Sequence, residues 1–551
     1  MRSNWPRRYA PPGLFCTFGF PKRNPKDNAP LNSIRPYPFD SPQVALLSFS
    51  DFIEHYRTTL QSLFNERSNI EELSLHRGLP PFVMREFMEC APLSVFIPSA
   101  YGGRGGSVPE CLSVLEATSY ESLPLSLLVG INGALFLQPV SIYAQESVKR
   151  PIFERFLRHK NMGGLMITEP DYGSDALKMQ TGYTLSEDSA HLTGMKHWAG
   201  LTGWADFWLL TARRRNDNGD LSRDIDFFIH DASLRGVEVE EVYQNLGLYM
   251  LPYGRNRIDA HIPITQRLEP KSTGVTMMLD ILHRSRLQFP GMGMGFLKRM
   301  VDEGLAHCKD RLVGGAALLS YDQVRNRLAR LQAQFTVCSA MCTFTTENAP
   351  IDKDVSRMDI EANSIKTVLT DFMQDAAQSL LQLVGAKGYR LDHIAGRAVV
   401  DSRPFQIFEG SNDILYQQVS ESVLKAMRKM DMTNLKDFLT GFELTSRAAD
   451  RLRPSLDFTI DVKLAQRKLV QLGQALGRIV SLEMVIRLGD RGFRQDLIDN
   501  CIQILENDIR YLLGSYRMHA QTDVVEGYRQ NSAWQDAIRS DSFAATHVNG
   551  A

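Results

Sequence analysis

The chain has 551 residues, 62 Lys and Arg against 63 Asp and Glu, and is 43% hydrophobic and 23% charged, the composition of a globular protein with room for several domains. A formal net charge of -1 supplies no global attraction to nucleic acid or to an anionic membrane. Seven cysteines without a C-x-x-C pair make neither a disulfide framework nor a zinc site, and no uninterrupted apolar run reaches the roughly 18 residues that a bilayer requires.

Residues 1–42 are rich in Pro and Arg with no acid before Asp27, and they read as an extended N-terminal arm. The segment lacks the apolar core of a secretory signal, and its prolines spoil the amphipathic helix of a mitochondrial presequence. A reducing, cytoplasmic location is therefore expected, with the mitochondrial matrix as the alternative. Residues 43–160 carry apolar side chains at helical spacing, as in Leu46, Phe49, Phe52 and Ile53, then Leu60, Leu63 and Phe64, and are expected to form an N-terminal helical domain. The glycine-rich stretch Pro98–Ser107 has no strand and no GxGxxG or GKS pattern around it, which makes it a turn between helices and not a phosphate cradle.

Residues 161–273 change texture to short β-branched runs at Gly164–Thr168, Tyr183–Leu185, Phe207–Thr211, Asp226–His230, Val237–Val239 and Arg257–Ile262, expected as a middle β-barrel domain. Helical periodicity returns over 274–428, with Leu328, Leu331, Phe335, Cys338 and Cys342 on one face, as a helical bundle; the two cysteines read as core residues, without further metal ligands beside them. Residues 429–551 form an additional helical domain with stripes at Leu469, Leu472, Leu476 and Ile479 and at Ile498, Ile502, Leu505, Ile509 and Leu512. The fold class is α+β, mainly α.

Chemistry concentrates in two places. The first is Met166-Ile-Thr-Glu-Pro-Asp-Tyr-Gly-Ser-Asp175, followed by Gly194-Met-Lys-His-Trp198 and Ala205-Asp206; the second is Phe405-Gln-Ile-Phe-Glu-Gly-Ser-Asn-Asp-Ile414. In this order they resemble the acyl-CoA dehydrogenase family, with its ITEP-x-AGSD loop, G-x-K-x-W element and Q-I-Y/F-E-G-T/S motif. The Pro98–Gly103 loop, Lys309-Asp-Arg311 and Leu383-Val-Gly-Ala-Lys-Gly-Tyr389 support the resemblance.

The resemblance implies an N-terminal helical domain, a middle β-barrel, a C-terminal four-helix bundle and FAD-dependent α,β-dehydrogenation of an acyl thioester. A carboxylate can remove the weakly acidic α-proton if a desolvated site raises its proton affinity, while the flavin takes the β-hydride. Glu409 falls on the base position, and its backbone N–H, with a ribityl hydroxyl, would hold the thioester oxygen. Thr168 and Ser174 fall on positions that bond the flavin and its phosphates, with Met166 and Ile167 flanking the ring and Trp198 beside it. Arg311, Gln382 and Gly385 match residues reaching the FAD pyrophosphate of a neighbouring subunit, and Ser411 a hydroxyl near the phosphates. Arg286, Gly410 and Ser174 fall on the substrate side. No metal is implied. Read alone, each has a plainer account: Glu409 as an acid at a helix entrance, Thr168 and Ser174 as turn hydroxyls, Trp198 as core, Arg311 as an ordinary surface arginine.

Some positions depart from the pattern. After Trp198 the family usually places a hydroxyl that bonds flavin N5, where this chain has Ala199-Gly200-Leu201-Thr202, so that donor is missing or displaced. Gly314 replaces a usual Phe, Asp322 a Gln, His283 an acid near the pantetheine arm, and Ala386 a Gly. The expected substrate is an acyl-CoA, with an acyl-carrier-protein thioester left open, and the expected acceptor an electron-transfer flavoprotein. The expected assembly is a homodimer. Rival readings are a flavin oxidase or monooxygenase on the same fold, and a non-enzymatic homologue serving assembly or DNA protection.

Overall fold

Ser48 opens the first helix, its hydroxyl accepting from the Asp51 amide, and α1 (Phe49–Ser62) turns Phe52, Ile53, Tyr56 and Leu60 inward. The computed structural model describes residues 47–461, 463–518 and 523–535, and the arm expected over residues 1–42 lies outside them. Next come α2 (Pro81–Glu89), α3 (Val108–Glu121) and α4 (Leu123–Asn132), then α5 (Glu146–His159). Every residue of α4 is buried, which makes it the central helix of this layer. Pro98–Ser107 is a turn, with Gly102 at φ +89°.

The middle segment is a seven-stranded sheet: β1 (Gly163–Met166), β2 (Gly182–Leu185), β3 (Ser189–Gly200), β4 (Phe207–Arg214), β5 (Asp226–Asp231), β6 (Val237–Val242) and β7 (Tyr253–Pro263). The order is β1-β4-β2-β3-β7-β6, with β5 also on β4; the β1–β4 and β2–β4 pairs are parallel and the others antiparallel. The longest strand, β3, is absent from the runs picked out by β-branched content. Its sequence SAHLTGMKHWAG mixes small, polar and apolar residues, and only alternating burial marks it.

Thr273 caps α6 (Gly274–Asp310), which runs against α3 on one side and against α7 (Asp322–Asn348) and α8 (Asp359–Val384) on the other. The short α9 (Ile394–Ser402) leads to the Glu409 loop, and α10 (Asn412–Lys429) leaves it. Beyond them α11 (Gln466–Asp490) lies against α7, α8 and α10, and α12 (Gln495–Arg517) against α7 and α11. Leu472, Leu476, Ile479, Ile498, Leu505 and Ile509 enter the same continuous core as the bundle. Two helical stretches, Leu123–Tyr143 and Gln466–Asp490, are long and apolar enough to cross a membrane, but 83% and 67% of their most apolar windows are buried inside the protein.

Candidate active site

Glu409 sits where a short helical turn, Arg403–Gln406, hands over to α10. Its backbone is left-handed, φ +53°, and Gly410 follows at φ +92°, where a side chain would also press on Leu415, 2.9 Å from the Cβ position. The strained turn is pinned from the bundle. Arg286 of α6 donates to the Glu409 carbonyl through Nε (3.1 Å) and Nη2 (2.8 Å), while Nη1 donates to Asn363 Oδ1 (2.8 Å). Lys366 of α8 donates to the Gly410 carbonyl (2.8 Å) and to Asn412 Oδ1 (2.9 Å). With both carbonyls held, the Glu409 and Gly410 amides donate to no other described residue.

The carboxylate is held on one side only. Ser285 donates to Oε1 at 2.8 Å, whereas Oε2 is buried without a partner among the described residues. Burial pushes the Glu409 carboxyl above the ordinary carboxylate range, against the pull of Arg286, the Ser285 hydrogen bond and Lys366. Burial in turn lowers Lys366 to about 7, helped by Arg286, and lowers Arg286 to about 10. The result is one base with a raised proton affinity beside two buried cations.

The β-domain side is organised by an ion pair inside the sheet. Lys196 of β3 is fully buried and donates to Glu169 Oε1 (2.9 Å), Thr211 Oγ1 (2.9 Å) and the Ile167 carbonyl (3.1 Å). Thr211 donates to the Met166 carbonyl (2.9 Å), and Glu169 accepts from the Gln180 and Thr181 amides. Burial pulls Lys196 down to about 8 despite Glu169. These bonds turn the Met166 and Ile167 carbonyls inward and fix the start of the loop carrying Thr168 and Ser174. Thr168 is half-buried, Ser174 exposed, and neither hydroxyl bonds to another described residue.

Trp198 is the extra residue of a bulge, where the β3–β7 register shifts between His197 and Ala199, and its φ is +56°. The indole is thrown onto the surface, 53% exposed, against Tyr243 with ring centroids 4.6 Å apart. An exposed indole and, on the preceding loop, two hydroxyls without described partners are the kind of stacking and donor groups that fit a planar aromatic cofactor bearing phosphates.

No hydroxyl occupies position 200. A Cβ on Gly200 would lie 2.7 Å from Ile131 Cδ1 and 3.4 Å from Tyr253 Cε1, so a side chain there would require the end of Ile131 to shift. Thr202 does not replace it: its hydroxyl is buried, donates to the Ala199 carbonyl (2.8 Å) and accepts from Asn256 (3.1 Å). Thr202 therefore does not offer its hydroxyl as a displaced donor.

Arg311, Gln382 and Gly385 stand elsewhere. At 1.5 Å per residue Arg311 is about 37 Å along α6 from Arg286. Gln382 and Gly385 close the parallel α8 at that same end, where a Cβ on Gly304 would lie 3.6 Å from Leu383 Cδ1. All three are exposed and are not brought to Glu409. Gly314 (φ +57°) and Gly315 (φ +84°) form the tight turn between the two-residue strands Leu312–Val313 and Ala316–Ala317, a backbone that disfavours the usual Phe. Asp322 opens α7, a position that suits an acid. His283 is buried, its Nδ1 3.0 Å from the Val355 carbonyl, and burial lowers it to about 4. Ser411 is the N-cap residue of α10, and its side chain makes no capping bond.

Ser285, Lys366, Asn363 and Tyr253 complete the Glu409 surroundings and were not among the residues expected. Ser285 is the neighbour of Arg286, and Lys366 stands inside the apolar run Ile365-Lys-Thr-Val-Leu369, where a lone lysine signals a buried, paired cation. Tyr253 carries no sequence signal of this role.

Models of the acyl-CoA dehydrogenase N-terminal, middle and C-terminal domains match residues 52–160, 164–260 and 272–424. The chain is 21% identical over 396 residues to the very long-chain specific acyl-CoA dehydrogenase, mitochondrial, of Mus musculus, across 71% of this chain and 60% of that protein. It is 23% identical over 337 residues to an acyl-CoA dehydrogenase of Bacillus subtilis, across 60% of this chain and 86% of that one. The crystal structure of an acyl-CoA dehydrogenase complexed with FAD from Bacillus anthracis superposes with a TM-score of 0.70 at 18% identity, across 85% of this chain and 88% of that chain.

Proposed function

From the premise that the chain belongs to the acyl-CoA dehydrogenase family of oxidoreductases, we propose that it desaturates an acyl thioester between Cα and Cβ, with Glu409 as the base. The observation that carries this is Glu409 Oε2: buried, without a partner among the described residues, and on a carboxyl whose proton affinity is raised by its surroundings.

Ser285 holds Oε1, leaving Oε2 to take the α-proton. Arg286 and Lys366 fix the carbonyls of Glu409 and Gly410, so that the free amides are rigid donors for the thioester oxygen as negative charge develops there. The two cations stabilise that charge and cost no reorganisation, because they are already oriented by Asn363 and Asn412. Met166, Ile167, Thr168, Ser174 and Trp198 would hold FAD, the cofactor of the family, from this chain. Ser411, at the entrance of α10, would meet its phosphates. FAD when bound supplies the acceptor for the β-hydride. Arg311, Gln382 and Gly385 would serve the FAD of a second copy, which makes a homodimer the smallest complete unit. An electron-transfer flavoprotein is the acceptor in this reading.

The oxidase reading is the second, favoured by Gly200, which carries no hydroxyl where the family usually has one that meets flavin N5. Anaerobic mixing of the flavin-loaded protein with acyl-CoA and acyl-carrier-protein panels tests the reaction: bleaching of the flavin band is the expected result. In a separate aerobic run, oxygen uptake without an added acceptor would move the conclusion to the oxidase.

A further inference from the structure

Asp371 of α8 clamps the Glu409 loop on both sides. Its Oδ1 accepts from Gln406 Nε2 (2.8 Å), three residues before Glu409, and from Asn412 Nδ2 (2.7 Å), three residues after it. Asn412 also carries the bond to Lys366, whose other bond holds Gly410. The second carboxylate oxygen is occupied by Tyr416 Oη (2.6 Å) and by Arg478 Nη2 (3.4 Å), and Arg478 Nη1 donates to Tyr416 Oη (2.5 Å).

Arg478 belongs to α11, 54 positions beyond the last residue matched by the family's C-terminal domain. The sequence of α11 allows the approach. A Cβ on Gly473 would lie 2.0 Å from the Tyr416 carbonyl, and one on Gly477 3.1 Å from Val368 and 3.4 Å from the Tyr416 ring. Two glycines one turn apart bring the helix against α8 and α10, and the guanidinium of the next residue reaches Asp371. Its side chain is only 13% exposed and stacks over Phe372, so it has few other ways to be satisfied.

We propose that Arg478 is a positioning residue for Glu409: the C-terminal extension completes the catalytic loop by holding Asp371 in its clamping position. The proposal rests on Glu409 being the base. Without the guanidinium, Asp371 keeps only neutral donors in a largely buried place and turns away from the loop. The carboxylate of Glu409 then samples more orientations, which slows proton abstraction and leaves thioester binding alone.

The test uses the flavin-loaded full chain as wild type, Arg478→Met, Arg478→Lys, Tyr416→Phe and, as a control on the same extension, Arg451→Ala, whose exposed side chain pairs with Glu506. Two quantities are read: amide hydrogen exchange of segment 404–412, and the limiting rate of flavin bleaching separately from the half-saturating thioester concentration. In Arg478→Met, exchange of 404–412 rises and the limiting rate falls, each about 10-fold, the scale of one charged hydrogen bond, while half-saturation and exchange in the remaining helices stay at wild-type values. Arg478→Lys recovers part of both, Tyr416→Phe moves both in the same direction, and Arg451→Ala moves neither. Unchanged exchange of 404–412, a rise spread evenly over the bundle, or a rise with an unchanged limiting rate overturns the proposal. If no thioester bleaches the wild type, the reading of Glu409 as base fails and takes the positioning role with it, whatever the exchange shows. If Arg478→Met does not fold, Arg478→Lys and Tyr416→Phe decide.

Discussion

Gly200 and Tyr253 face each other across β3 and β7, and the tyrosine ring lies against the space that a side chain on the glycine would take. Directly opposed residues of an antiparallel pair put their side chains on one face, so a large ring on one strand fills the gap left by glycine on the other. Tyr253 is also close enough to Glu409 for the carboxylate to raise its phenol further above a range that burial already exceeds. The glycine is thus a packing consequence as much as a lost hydroxyl.

Restoring the family's hydroxyl with Gly200→Thr is expected to destabilise the protein by about 1–3 kcal/mol, the usual cost of overpacking. Ile131→Val removes the Cδ1 atom that lies 2.7 Å from the new Cβ. The double variant should regain most of the loss, read as the thermal midpoint of each protein. Equal midpoints for wild type and Gly200→Thr would contradict the packing account.

Cutting the buried Lys196–Glu169 pair by Lys196→Met leaves a carboxylate in the sheet with backbone donors only, and should cost about 3–5 kcal/mol. Because the same lysine holds the Ile167 carbonyl, flavin content should fall with stability. Denaturant unfolding and the visible absorbance of purified protein check the two halves, and a stable variant with full flavin content would refute the link.

The base must be ionised to act, so bleaching should rise with pH through the Glu409 pKa, above the ordinary carboxylate range. Lys366 as a cation favours the ionised form. Lys366→Met removes that charge, raises the Glu409 pKa and shifts the acid limb of the limiting-rate profile to higher pH. A shift to lower pH, or none, would exclude Lys366 from the electrostatics of the base.

The succession of helices, sheet and bundle was legible because apolar spacing changes period at the boundaries, and Glu409 and Gly410 stood out as candidates because they sit in an ordered motif, Phe405–Ile414. What the sequence withheld was of a different kind. Strand β3 carries the bulge and Trp198 in a run that does not look like a strand, and its pairing depends on β7, whose paired residues lie 53 to 74 positions on. Ser285, Lys366 and Asp371 act through contacts spanning 35 to 124 positions, which no local pattern encodes. The stripe at Leu472, Leu476 and Ile479 identified α11 as a packing helix, but only the register of Gly473 and Gly477 on Tyr416 shows where Arg478 ends up.

The most direct measurement is an anaerobic titration of the flavin-loaded wild type and Glu409→Gln against acyl thioesters of increasing chain length, followed at the oxidised flavin band. The account predicts bleaching of the wild type by one class of thioester and, in Glu409→Gln with equal flavin content, a loss of at least about 1,000-fold in rate, since the α-proton has no other base to receive it. Bleaching of the Gln variant at a rate near wild type would contradict it.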